Sequence, residues 1–125
     1  RIMIKVNFSK PLLIQSVAFK DVFLRMDGNG ITQANGAGTG KVSCQKNMSP
    51  TGAFKVQEQK NGTFTIESVK YPGVFLRMDG NNRSGKEEDF GTVNCQYGAS
   101  TCEKFYLLNM PETGKVKDMF NKFAK

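Results

Sequence analysis

The sequence contains no histidine and no tryptophan, and it has only three cysteines and four prolines among 125 residues. Without histidine, the Ser-His and Cys-His nucleophile systems and every His-ligated metal site are excluded. Cys44, Cys95 and Cys102 show no C-x-x-C spacing, so a zinc site is not expected and at most one intrachain disulfide can form. Cys102 has no repeat counterpart; in an oxidising compartment it could bond Cys95 across Gln96–Thr101, and otherwise it is a free thiol. No apolar run approaches the ~20 residues of a membrane span, so no transmembrane segment is expected. The carboxylates Glu87, Glu88 and Asp89 lie in a Gly-flanked loop, not in the fixed, desolvated pairing that acid–base catalysis requires. These absences point to a non-catalytic binding protein with no cofactor.

What is present fits one domain spanning residues 1–125. The net charge is +7, but lysines and arginines sit singly between apolar or small residues, from Lys5 through Arg77. A nucleic-acid binder more often carries a dense basic stripe with exposed aromatics, so a solvated basic surface is expected first and a specific nucleic-acid partner is not expected. A polyanion such as a heparan-type glycan, nucleic acid or an acidic membrane surface is the alternative. Four sequons, at Asn7, Asn47, Asn61 and Asn82, favour secretion slightly over a cytoplasmic location. Thirteen glycines and recurrent short Phe, Val and Thr runs indicate an all-β chain.

An internal repeat organises the chain. At an offset of 52, Val22-Phe23-Leu24-Arg25-Met26-Asp27-Gly28-Asn29 falls on Val74-Phe75-Leu76-Arg77-Met78-Asp79-Gly80-Asn81, identical at every position. Ile14–Val17 matches Ile66–Val69, and Gly40–Gln45 matches Gly91–Gln96 after a one-residue change in loop length. Phe54 then matches Phe105, and Gly62 matches Gly114. The units are 1–52, 53–104 and a partial 105–125.

Each full unit reads as four short strands: Ile2–Val6, Leu12–Ser16, Val22–Met26 and Lys41–Gln45, then Ala53–Gln57, Thr63–Glu67, Val74–Met78 and Thr92–Gln96. The alternations Phe54/Val56 and Phe64/Ile66 mark strands with one buried face. Turn residues separate the strands, as in Lys60-Asn61-Gly62, Pro72-Gly73 and Asp27-Gly28-Asn29-Gly30. Nearly three such units imply a β-trefoil: a closed six-stranded barrel with a capping hairpin per unit, which leaves no bare sheet edge. The third unit is degenerate or truncated. It supplies Lys104–Leu108 and a weaker strand at Lys115–Met119, but no Val-Phe-Leu-Arg-Met-Asp-Gly. Three readings of its end stay open: Met119, Phe120 and Phe123 cover the uncapped barrel, the third hairpin lies beyond Lys125, or the tail is a basic amphipathic interaction segment.

Glu67-Ser68-Val69-Lys70-Tyr71-Pro72-Gly73-Val74-Phe75-Leu76-Arg77 is similar to the E-S-x-x-x-P-G stretch of arabinofuranosidase-B-type carbohydrate-binding domains. It also resembles the interleukin-one family, and more loosely the fascin-like trefoils. The first resemblance implies a lectin-like protein whose partner is a carbohydrate or glycoprotein. The others imply a protein-binding trefoil, either an interleukin-one-like extracellular ligand of a receptor or a fascin-like actin cross-linker. The chain departs from the arabinose-binding pattern in carrying Met26 and Met78 where those domains place a histidine.

The repeated Arg-Met-Asp-Gly-Asn turns are the candidate ligand-binding sites. Asp27, Asn29, Asp79 and Asn81 set acceptors and amides side by side at turn tips, as hydroxyl-pair recognition needs, and Tyr71 and Tyr97 are candidate apolar platforms. The same residues also suit a tight turn. A calcium loop is not expected, since the later carboxylate ligands are missing. Arg25 and Arg77 are expected to clamp Asp27 and Asp79, and Cys44 and Cys95, at matched positions, are expected in the core.

Overall fold

The computed structural model describes residues 6–34, 38–80 and 91–108. The chain is all-β: β1 Leu12–Leu13, β2 Val22–Asp27, β3 Lys41–Lys46, β4 Ala53–Glu58, β5 Phe64–Ser68, β6 Val74–Asp79 and β7 Thr92–Tyr97. Single 3₁₀ turns at Pro50–Gly52 and Thr101–Glu103 follow β3 and β7 at equivalent points of the two units. No described helix is long and apolar enough to cross a membrane.

Five strands form an antiparallel sheet in the order β1-β4-β5-β6-β7, and β2 and β3 form a separate hairpin. The two hairpins share one register: Val22 faces Lys46 and Asp27 faces Lys41, just as Val74 faces Tyr97 and Asp79 faces Thr92. The sequence repeat is thus a structural repeat. Gln15 bridges to Phe23 as Glu67 pairs with Phe75, so each hairpin is hung from the preceding strand in the same way. The expected strand at Leu12–Ser16 shrinks to two residues plus that bridge, and the one at Lys104–Leu108 shrinks to a bridge between Phe105 and Phe64. Most of Ile2–Val6 and all of Lys115–Met119 fall outside the described residues.

Local chemistry explains the turns. Asn61 (φ 70°) and Gly62 (φ 74°) adopt left-handed backbone in succession, and the Asn-Gly pair joins β4 to β5 at low steric cost. The motif before β6 is also a turn device. Glu67 Oε2 accepts from the Gly73 N–H at 2.8 Å, and Ser68 Oγ accepts from the Tyr71 N–H at 3.0 Å. In unit one, Ser16 Oγ accepts from the Phe19 N–H at 3.0 Å, and the Gln15 amide donates to the Lys20 carbonyl. The Glu-Ser pair thus holds the bend that aims the next strand.

The core is small: Met26, Phe54, Val74 and Cys95 are fully enclosed, with Leu24, Ile31, Val42, Ile66, Tyr71 and Leu76 packed around them. In β4 the Phe54/Val56 face is buried as expected. In β5 it is Thr65 and Ser68 that are buried, while Phe64 and Ile66 stay half-exposed, a departure from the expected alternation. Ile66 packs against the core on one side and lines an open apolar groove on the other.

Cys44 is exposed, contrary to the expectation that both matched cysteines are core residues. Cys95 is buried because unit one's hairpin lies on it. The Gly40 N–H donates to the Cys95 carbonyl at 3.0 Å, and the Cys95 thiol faces the carbonyl of Asp27 at 3.6 Å. Among the described residues no equivalent hairpin covers Cys44. All three thiols are free.

The two hairpins meet where side chains are missing. A Cβ on Gly28 would lie 2.9 Å from both Val74 methyls and 3.1 Å from Tyr71 Cβ; one on Gly40 would collide with Cys95 Sγ and lie 2.7 Å from Ile31 Cδ1. Gly28→Ala is therefore expected to cost about 1–3 kcal/mol through overpacking, read as a lower denaturant midpoint. An unchanged midpoint would mean that the hairpins do not close on one another.

Candidate functional site

The hairpin turns place the repeated Arg-Met-Asp-Gly-Asn residues in two different environments. At the end of β2, Asp27 is half-buried. Its Oδ1 accepts from the Asn29 N–H at 3.0 Å, closing an Asx turn, and its Oδ2 lies 3.4 Å from Arg25 Nη2. The Asn29 hydrogen bond, aided by the charges of Arg25 and Lys41, holds the Asp27 carboxyl below its ordinary pKa despite partial burial. It is a charged acceptor at neutral pH, with Asn29 exposed beside it.

Tyr71 is brought to this turn by the packing of Gly28, although 42 residues of chain intervene. Its ring is half-buried against the core, and Lys70 Nζ sits 5.8 Å from the ring centroid. Tyr97 lies at the far side of the Pro72-Gly73 bend, where its ring would contact a Cβ on Gly73 at 2.6 Å. The fold therefore sets Tyr71 against Gly28, the residue between Asp27 and Asn29, with Tyr97 across the adjoining bend.

Asp79 stands apart. Tyr97 faces Val74 at one end of the β6–β7 hairpin, and Asp79 faces Thr92 at the other, about 17 Å away at ~3.4 Å per residue. Asn81 lies outside the described residues, as do Glu87, Glu88 and Asp89. Among the described residues no cluster of His, Cys, Asp or Glu could hold a metal ion.

Both expected arginine–aspartate pairs form, but they differ in depth. Arg25 and Asp27 are about one-third exposed, at 30% and 33%. Arg77 is 4% exposed and its Nη2 donates to Asp79 Oδ2 at 2.6 Å, while Nη1 donates to Asn94 Oδ1 at 3.2 Å. Arg77 Nε also lies 3.7 Å from Glu103, which is fully buried. The Glu103 carboxylate accepts from the Gln96 amide at 3.3 Å and from both the N–H and O–H of Ser100, at 2.7 and 2.9 Å.

Sequence reasoning missed this buried network. The available signal was Ser100-x-x-Glu103, a capping-box spacing over a one-turn helix. Unit one answers the same space differently. Gly52 stands where Glu103 does, and the Gln45 amide fills in, donating to Ser49 Oγ at 2.7 Å and accepting from Thr51 Oγ1 at 2.6 Å. A Cβ on Gly52 would sit 3.0 Å from Gln45 Nε2.

The thiol of Cys95 is pushed up to about 11 by burial first and by the nearby Asp27 charge second, so it is a buried, protonated thiol at neutral pH. The chain matches no protein-family model, no curated protein and no solved structure.

The difference between the two arginines is measurable. Arg77→Met strands a buried Glu103 and is expected to cost about 3–5 kcal/mol in chemical denaturation. Arg25→Met breaks a solvent-screened pair and is expected to cost less than about 1 kcal/mol. Equal losses would contradict the assignment of unequal roles.

Proposed function

We propose that this chain is a non-catalytic β-trefoil that binds carbohydrate, with its best-formed site at Asp27, Asn29 and Tyr71. The trefoil reading is supported by two structural repeats with one hairpin register and by the remnant of a third at Phe105. The observation that carries the binding reading is the juxtaposition of a charged Asx turn with a tyrosine from the other repeat. Asp27 retains lone pairs beyond its bonds to Asn29 and Arg25, and Asn29 offers a solvent-facing amide; together they accept from and donate to neighbouring sugar hydroxyls. The accessible edge of Tyr71 supplies the apolar surface for a pyranose face, and Lys70 beside it adds a donor.

The Asp79 turn contributes less to this chemistry. Its carboxylate is pulled into the buried Arg77 network, so the repeated sequence serves recognition in unit one and folding in unit two. An open groove along Ile66, Leu76 and Phe105 favours the second reading, a protein-binding trefoil, because flat apolar surface suits a protein partner better than a sugar.

A glycan array at physiological and at high salt tests the proposal. Binding to a neutral glycan that persists at high salt is expected, and Asn29→Ala should weaken it about tenfold, the value of one lost hydrogen-bonding pair, without changing the melting temperature. Binding only to acidic glycans, lost at high salt, would reduce the interaction to the +7 charge. A blank array would overturn the carbohydrate reading and favour the protein partner.

A further inference from the structure

Units one and two are joined in two ways. Leu12 and Leu13 of β1 pair with Phe54 and Ala53 of β4, and that link recurs where Phe64 bridges to Phe105. The second joint is the docking of the β2–β3 hairpin on unit two. Tyr71 and Val74 pack against Gly28, beside the fully buried Met26, and the Cys95 carbonyl accepts from the Gly40 N–H at 3.0 Å. Both halves of this second joint occur again in the chain, and both lie at its surface.

The covering half recurs in unit one. By the repeat, Phe19, Val22 and Cys44 stand where Tyr71, Val74 and Cys95 stand. The bend that aims them is the same. The Ser16 hydroxyl accepts from the Phe19 N–H and the Val22 N–H donates to the Phe19 carbonyl, both at 3.0 Å, as in the Ser68–Tyr71–Val74 bend. Phe19 is 66% exposed, and Cys44 is exposed as well. The covered half recurs in unit two, where Met78, Gly80 and Gly91 are the repeats of Met26, Gly28 and Gly40 and all three are exposed. Met78 is 55% exposed against 0% for Met26, although each faces a valine in the same hairpin register. Phe105 and Leu107 line the open groove of about 530 Å³ beside Met78, whereas their repeats Phe54 and Val56 are buried.

We propose that a second copy of this chain covers that surface: Phe19, Val22 and Cys44 of one copy dock on Met78, Gly80 and Gly91 of the next, in the manner of Tyr71, Val74 and Cys95 on Met26, Gly28 and Gly40 within one chain. The covering face lies on one unit and the covered face on the other, so the contact is heterologous. Association is head-to-tail and continues into rings or open chains instead of stopping at a symmetric dimer. Apolar burial drives it, and the +7 charge of each copy opposes it. Added salt therefore strengthens the association, the reverse of a contact made by ion pairs. The inference is independent of what the Asp27 turn binds, because Asp27, Asn29 and Tyr71 take no part in the contact between copies.

Analytical ultracentrifugation of the full chain tests this. From about 10 μM to about 1 mM, the range of a small and weak specific interface, the weight-average mass is expected to at least double, and to rise further in high salt. Phe19→Asp and Met78→Asp, both at exposed positions, should each stay monomeric with an unchanged melting temperature. Mixed in equal amounts, the two variants should form a one-to-one dimer and nothing larger, since each keeps the half that the other lacks. A wild-type chain that stays monomeric over that range overturns the proposal. So does association that survives either substitution, or a mixture of the two variants that stays monomeric.

Discussion

Two glycines allow the hairpins to touch, and the rest of the structure depends on that contact. Gly28 and Gly40 leave room for Val74, Tyr71 and Cys95 to approach unit one's backbone directly, and any Cβ there meets an occupied position. The approach buries Met26, Val74 and Cys95, three of the four residues at the heart of the core. A core of this size contributes little in absolute terms, at about 1.5–3 kcal/mol per fully buried large apolar side chain. Loss of one close approach therefore threatens the whole arrangement. The candidate site is a by-product of the same contact, because it is the docking of Gly28 that carries Tyr71 to Asp27 and Asn29.

The contact also explains why two nearly identical repeats have parted in chemistry. Unit one's turn keeps a shallow Arg25–Asp27 pair, so its carboxylate remains open to solvent hydroxyls. In unit two the Glu103 carboxylate comes into the interior, and Arg77 with Gln96 and Ser100 neutralises and satisfies it. An isolated buried carboxylate would be prohibitively costly, which is why the substitution of glycine by glutamate at this repeat position comes with a buried arginine. Unit one, with Gly52, needs no such partner and fills the space with the Gln45 amide.

The strands and hairpin turns were legible because the repeat is nearly exact in sequence, whereas the expected closed six-stranded barrel is not formed by the described strands, which make a five-stranded sheet and a separate hairpin. Val22–Asn29 and Val74–Asn81 had to fold alike, and strand periodicity with Asn61-Gly62 and Pro72-Gly73 located the turns within a residue or two. The failures have a common physical source. Cys44 and Cys95 are indistinguishable in sequence, as are Met26 and Met78, yet one of each pair is buried and the other exposed. Burial here is decided by what neighbouring unit lies on top, a long-range fact that local pattern does not carry. The same holds for the site: Asp27, Asn29 and Tyr71 were separately recognisable, but their meeting, and the distance between Tyr97 and Asp79, follow from hairpin register and unit docking. The only local signal for Glu103 is its capping-box spacing from Ser100, and its burial next to Arg77 reveals its structural role.

Native-state hydrogen exchange on the Gly40 amide tests the central claim most directly. This N–H bonds to the Cys95 carbonyl across the unit boundary at 3.0 Å, so it reports the contact itself and not either hairpin alone. If the two units form one cooperative core, Gly40 exchanges with the same opening free energy as the β6–β7 amides. If Gly40 and the β2–β3 amides exchange together in a separate, easier opening while β4–β7 stay protected, the units are independent and the account fails.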